Sequence, residues 1–302
     1  MPISHDQNFK NLILDYPRQA LAFFAAEEAA RIDPSARITP IRQEQLKDRL
    51  SDRFFELDVP LLVEWGNGER ESLLFMLEEE SNARRFSIHR LGIYALQLAE
   101  HFQTDRVVPV VIFLRTHAGL RTVLHLATVQ RSILHFQPLV FELGNLDSRD
   151  HLDSNNLVTR LTLPCMRHHS LQEQVDARGR ALQGLLALEP DPEKRLKYDQ
   201  FIRYYAPLDE QGQRLYSERY ATEEHQMNDI AEQLRAEGRQ QGIQQGRHKA
   251  LVELAYPLLE QRFGPVDDDT RTRIHQASAA ELQRWILNIP HASRLEEVFR
   301  LQ

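Results

Sequence analysis

Three carboxylates in the first third of the chain are spaced for metal chemistry. Asp58 lies near the start of the apolar run LDVPLLVEW (57–65), and Glu78 and Glu80 end a second run, ESLLFMLEEE (71–80). Side chains alternate along a strand, so Glu78 and Glu80 share a face and Glu79 takes the other. Whether Asp58 joins them depends on the Gly66-Asn67-Gly68 cluster between the runs. These residues tolerate positive φ and signal a hairpin. A three-residue loop pairs Trp65 with Glu69 and sets Asp58 opposite Met76. All three acids then lie on one face, with Val59, Leu61, Val63, Leu73, Phe75 and Leu77 on the other. A two-residue Asn67-Gly68 turn places Asp58 with Glu79 instead. The first register gathers hard carboxylate oxygens at one end of a sheet, a donor set suited to Mg²⁺ or Mn²⁺. Such a cation polarises a phosphodiester and activates an attacking water. Acids at strand ends are also the ordinary solvated rim of a sheet, and spacing alone does not separate the two readings.

The elements that must position these residues follow from apolar periodicity. Residues 5–31 read as helical, with Phe9, Leu12, Ile13, Leu21, Phe23 and Phe24 as apolar positions and Pro17 as a break. Residues 35–51 are polar and read as a loop followed by a weak helix or strand. Residues 84–102 repeat apolar side chains every three or four positions (Ile88, Leu91, Tyr94, Ala95, Leu98, Phe102), the pattern of a helix. VVPVVIFL (107–114) is a continuous apolar run, expected of a strand buried on both faces. RTVLHLATV (121–129) is expected to continue the same sheet after a turn at His117-Ala118-Gly119. The order helix, hairpin, helix, strand, strand makes a mixed α/β domain over residues 1–150.

The rest of the chain reads as helical. Residues 151–225 form an extension, broken at Pro190-Asp191-Pro192. Residues 226–249 carry Gly238, Gly242 and Gly246 among Gln, Arg and Glu. Each glycine costs about 1 kcal/mol in a helix relative to alanine, so a solvated, marginal connector is expected. Residues 250–302 form a small unit with Leu251, Leu254, Ala255, Leu258 and Leu259 on one face and Gly264-Pro265 as a stop. Ser278 with Glu281, and Ser293 with Glu296, read as capping boxes.

Composition narrows the function classes. The 302 residues are 27% charged and 42% hydrophobic, which excludes a disordered or low-complexity chain. The net charge of −7 argues against a constitutive nucleic-acid coat but leaves local contact open. Cys165 is the single cysteine, so no intrachain disulfide and no cysteine-based zinc site can form. No apolar run is long enough for a membrane span, and the start MPISHDQNFK has no apolar signal core. A soluble cytoplasmic protein is expected, with homo-oligomerisation left open. His168-His169 would splay apart on a helix and lacks a second pair at ligand spacing. Tyr94 reads as core, and Cys165 has no base to activate it.

An acid beginning one strand, a second strand ending in acid-x-residue and a following helix resemble the PD-(D/E)XK nuclease fold. More narrowly, the chain resembles the Rpn-like family of recombination-promoting nucleases and transposases. The residues that carry this are His5-Asp6-x-x-Phe9-Lys10, Asp58 with VPLLVEW, LEEES (77–81), Arg90-Leu91-x-x-Tyr94 and VVPVVIFL. The glycine-punctuated connector and the FGP-containing end are similar to the helical tail that often accompanies such cores. The resemblance implies a nuclease-like core over 1–150, Mg²⁺ or Mn²⁺ as cofactor, DNA as partner and a role in recombination or transposition. It also implies metal-binding roles for Asp58 and Glu78. Glu80 stands where the family's motif has lysine, which relatives often replace with glutamine. A carboxylate there adds negative charge near the attacked phosphate, unless it ligates a second cation. Lys47, Arg84, Arg85 and His89 are the local candidates for phosphate contact or a displaced cation, with Lys10 on the first helix beside them. The other implication is a core that has lost catalysis and serves as an interaction module.

Overall fold

A computed structural model describes residues 5–41, 59–66, 68, 70–78, 86–114 and 120–300. The chain divides into two compact units, Met1–Met227 and Asn228–Gln302.

The first unit opens with α1 (His5–Asp15), α2 (Pro17–Phe24) and the short α3 (Ala26–Ala29). Pro17 sits in the first turn of α2, where its missing N–H costs nothing, so the break falls where the sequence places it. Then come β1 (Arg37–Pro40), β2 (Pro60–Glu64), β3 (Arg70–Glu78), α4 (Ile88–Phe102) and β4 (Val107–Phe113). The antiparallel pairs β1–β2 and β2–β3 lead into β4, which runs parallel to β3. A parallel pair cannot be closed by a tight turn, and α4 is the crossover between them. Residues 109–113 of β4 are all buried, as a strand paired on both edges and covered on both faces must be.

Helix α4 begins at Ile88, later than the periodicity suggests, because the Ser87 side chain caps it by accepting from the Arg90 N–H at 3.3 Å. Its buried side chains Ile88, Leu91, Tyr94 and Leu98 pack with Val111 and Phe113 of β4. Burying each such aliphatic side chain is worth about 1.5–3 kcal/mol. Gln103 ends the helix in the left-handed region at φ 50°.

Residues 121–129 do not continue the main sheet. β5 (Leu124–Ala127) pairs antiparallel with β6 (Ser132–Phe136) as a separate two-stranded sheet. The fifth strand of the main sheet is β7 (Leu139–Glu142), parallel to β4, giving the order β1-β2-β3-β4-β7. Leu124 and Phe136 sit opposite each other, and Leu124, Leu134 and Phe136 join the α4 cluster. The hairpin therefore covers α4 instead of extending the sheet. His117-Ala118-Gly119 lies outside the described residues.

The helical extension belongs to the same unit as the sheet. α5 (Leu157–Leu161), α6 (Leu171–Leu188) and α7 (Pro192–Tyr205) are followed by α8 (Glu210–Phe263), which kinks at Tyr220 where the backbone leaves helical geometry. Asp191 caps α7, accepting from the N–H groups of Glu193 and Lys194, so the proline-flanked break is also a helix start. The side chain of Asn156 donates to the Gln19 carbonyl at 2.8 Å, and Gln19 accepts from the Leu157 N–H at 2.7 Å. The Phe9 ring meets Phe201 and Tyr205, and Tyr16 meets Tyr198. Two arginines are buried against this layer: Arg160 donates to the Arg180 carbonyl, and Arg178 lies 4.4 Å from the Tyr216 ring centroid.

In the second unit the end of α8 packs with α9 (Asp268–Gln276), α10 (Ala279–Asn288) and α11 (Leu295–Val298). Gly264 stops α8 at φ 86°. Val252, Ala255 and Leu259 enter the core, whereas Leu254 is half exposed, so the buried face is turned relative to the expected one. Ser278 and Glu281 form the expected reciprocal cap. The cap at Ser293 uses Glu297 and not Glu296: its carboxylate accepts from the Ser293 and Arg294 N–H groups.

Two stability results are expected. A Cβ at Gly179 would lie 2.3 Å from the Tyr220 ring, so Gly179→Ala should destabilise the first unit by about 1–3 kcal/mol in urea unfolding. Residues 235–247 of α8 are exposed throughout, and a Cβ at Gly238, Gly242 or Gly246 meets open space. Trypsin should nick at Arg235, Arg239 or Arg247. Each Gly→Ala change should lower the open-helix population about fivefold, in proportion to its ~1 kcal/mol propensity gain, and slow the nicking accordingly.

Candidate functional site

The hairpin register decides which acids can meet. Pro60 pairs with Leu74, Leu61 with Leu73 and Glu64 with Arg70. This is the register of the three-residue loop, not that of the two-residue turn. Gly68 takes φ 85°, and its N–H donates to the Trp65 carbonyl at 3.0 Å, the positive φ that the glycine-rich turn supplies. Val59, Leu61 and Val63 are buried as expected, Leu61 and Val63 completely. Leu62, between them, packs against the α4 cluster.

Glu78 is the last residue of β3 and stands in register with Phe113 of β4. On the other edge of β4, Phe113 is in register with Glu142, the last residue of β7. The carboxyl ends of three parallel strands therefore lie side by side, with an acid at each outer position. His89 is exposed on α4, and Lys10 is half-buried on α1. Asp58, Glu80, Lys47, Arg84 and Arg85 lie outside the described residues. Among the described residues, no group of three or more His, Cys, Asp or Glu side chains is placed to hold a metal ion.

A second polar cluster, which the sequence reading missed, joins the segment 147–149 to the start of α6. Asp147 accepts from the Arg149 N–H at 3.0 Å and from its guanidinium at 2.9 and 2.6 Å. His169 Nε2 lies 3.2 Å from Asp147 Oδ2, and Arg149 also reaches Glu173 at 3.8 Å. The Arg149 hydrogen bonds hold the Asp147 carboxyl far below the usual carboxylate range. The signal in sequence was Asp147-Ser148-Arg149, an Asx-type cap whose side chain returns to its own backbone.

His168 and His169 precede α6 and do not lie on a helix. His168 Nε2 faces the Pro164 carbonyl at 3.3 Å, and a carbonyl only accepts, so Nε2 carries the proton. Nδ1 then accepts from the Ser148 hydroxyl at 3.0 Å. This resembles a nucleophile–base pair, but Ser148 is 1% exposed. The Ser148 hydroxyl is closed to substrate, and its bond to the half-buried His168 works as a clamp between two loops. Burial pushes the Cys165 thiol up, away from the thiolate that a nucleophile needs. Tyr94 is buried in the core, as expected.

Burial lowers the His168 pKa from its ordinary value of 6.5, outweighing the Pro164 carbonyl and the Glu173 and Asp147 charges. A depressed histidine contributes stability that is complete above about pH 6.5 and declines as pH falls below it, because the unfolded chain takes the proton first. The destabilisation caused by His168→Gln should therefore be largest at pH 7.5 and shrink toward pH 5 in urea titrations. A gap independent of pH would overturn this account.

Among the described residues, no helix is long and apolar enough to cross a membrane. Compared with models of protein families, with curated proteins and with solved structures, the chain matches none significantly.

Proposed function

We propose that the chain is a metal-dependent DNA endonuclease-like protein that hydrolyses phosphodiesters, with a role in recombination or transposition. The observation that carries this reading is the β2–β3 register. From Pro60↔Leu74 to Glu64↔Arg70 it is the register of the three-residue loop, the one that a shared face for Asp58, Glu78 and Glu80 requires. The element order supports it: helices α1 to α3, the antiparallel strands β1, β2 and β3, the crossover helix α4 and β4 parallel to β3. A strand ending in an acid and followed by a helix is the part of this order on which the resemblance rests.

The donor set fits Mg²⁺ or Mn²⁺, since carboxylate oxygens are hard ligands. Such a cation, when bound, lowers the pKa of a coordinated water and polarises the scissile phosphate. Asp58 and Glu78 hold the site, and Glu80 serves as a further ligand. Lys47, Arg84, Arg85 and His89 are the groups available to contact the DNA backbone.

Glu80 also favours a second reading, a catalytically silent nuclease-fold protein that binds nucleic acid or protein. Without the lysine, the phosphate's developing charge loses a cationic partner. Plasmid nicking separates the two readings. Under the first, wild type nicks in Mn²⁺, and Asp58→Ala or Glu78→Ala lowers the rate at least a hundredfold. Glu80→Lys lowers activity as severely if Glu80 is a ligand, and raises it if Glu80 merely occupies the lysine position. No nicking in Mg²⁺ or Mn²⁺, together with no heat of Mn²⁺ binding, would favour the silent module.

A further inference from the structure

A pair of side chains outside that site has a ring spacing that suits a different metal chemistry. His125 of β5 and His135 of β6 are directly opposite in the antiparallel ladder. Both are exposed, and their ring centroids are 5.9 Å apart at an interplanar angle of 68°. Two imidazoles sharing one ion, with metal–nitrogen bonds of about 2.0–2.1 Å, bring their ring centres to about 5–6 Å. The pair already stands at that spacing.

We infer that His125 and His135 form a two-imidazole site for a late first-row divalent cation of the Zn²⁺ or Cu²⁺ class. Three observations make the pair more than two surface residues. Cross-strand partners have their Cβ atoms held about 4.5–5.5 Å apart by the ladder, so little backbone entropy is lost on chelation. The ladder is anchored from behind, because Leu124, Leu134 and Phe136 pack into the α4 cluster. The His125 ring is also restrained, with its Nε2 3.0 Å from the Ser132 hydroxyl, the kind of contact that orients a ligating histidine. Imidazole nitrogen selects Zn²⁺, Cu²⁺ or Ni²⁺ over Mg²⁺, which prefers oxygen. Water fills the remaining coordination positions, so the site closes a clip across the hairpin and leaves a face open to solvent.

Calorimetric titration of the metal-stripped full chain with Zn²⁺ alone tests this. Wild type should bind one equivalent that is retained in millimolar Mg²⁺. His125→Ala and His135→Ala should each weaken it at least tenfold. Zn²⁺ should also raise the melting temperature of wild type and of neither variant, because a cross-strand clip stabilises the folded hairpin. Circular dichroism of the two variants should match wild type, since both positions are exposed. Equal binding by wild type and both variants would overturn the inference, as would no binding by wild type.

Discussion

Strand Val107–Phe113 is the constraint on which the first unit rests. Its side chains are buried from Pro109 onward, so neither face can meet water, and its backbone groups need partners on both edges. β3 and β7 supply those partners, both parallel to it. Parallel pairing removes the option of tight turns and requires crossover segments that lie on the faces. Helix α4 is one such cover, locked by Tyr94 and Leu98 against Val111 and Phe113. The alignment of the ends of β3 and β7 beside Phe113, each ending in a glutamate, is a consequence of that pairing and needs no separate cause.

The hairpin was legible because its signals are local. Gly66 and Gly68 bracket a turn whose length sets the register, and the register sets the side of every residue on β2. The split of residues 121–129 from the main sheet was not legible. His125 and Leu126 alternate as they would on a half-buried sheet strand, and alternation reports one covered face without naming the cover. What decided the matter was β6 pairing at short range and β7 pairing with β4, a choice between competing strands that periodicity cannot rank. The buried arginines were hidden for a related reason. Arg160 fits only because Gly184 on α6 leaves room, and a Cβ there would lie 2.7 Å from its Nε. A single chain position carries no sign of the space that its partner omits.

The helical extension is held by polar contacts as much as by packing. Tyr198 donates to Asp15 at 2.7 Å and to the Asn11 carbonyl at 3.0 Å, and Lys197 reaches the same carboxylate at 2.7 Å. Tyr16 donates to the buried Glu189, whose other oxygen accepts from the Asp191 N–H at 2.8 Å. Burial, reinforced by the neighbouring carboxylates, pushes both phenols far above their usual range, so they remain donors at any physiological pH. A buried carboxylate with both oxygens occupied costs little, whereas removal of one phenol leaves an unpaired acceptor. The extension is thus tied to α1 and α2 by bonds that are expensive to break singly, and it is part of the fold that supports the sheet.

The two proposed metal chemistries differ in the property that keeps them apart. Carboxylate oxygens at the ends of strands are hard donors and accept Mg²⁺ or Mn²⁺, which retain much of their water. Imidazole nitrogens across the β5–β6 ladder favour ions later in the first row, where affinity rises toward Cu²⁺. On these proposals a mixture of ions would be sorted by ligand type and not by access, since His125 and His135 are both exposed. Zn²⁺ at the hairpin would leave the carboxylate chemistry untouched at low concentration and compete for it only in excess. Under both proposals, the effect of a given metal would depend on which site it filled first, and Mn²⁺, the weakest imidazole binder of the series, would report on the carboxylates most directly.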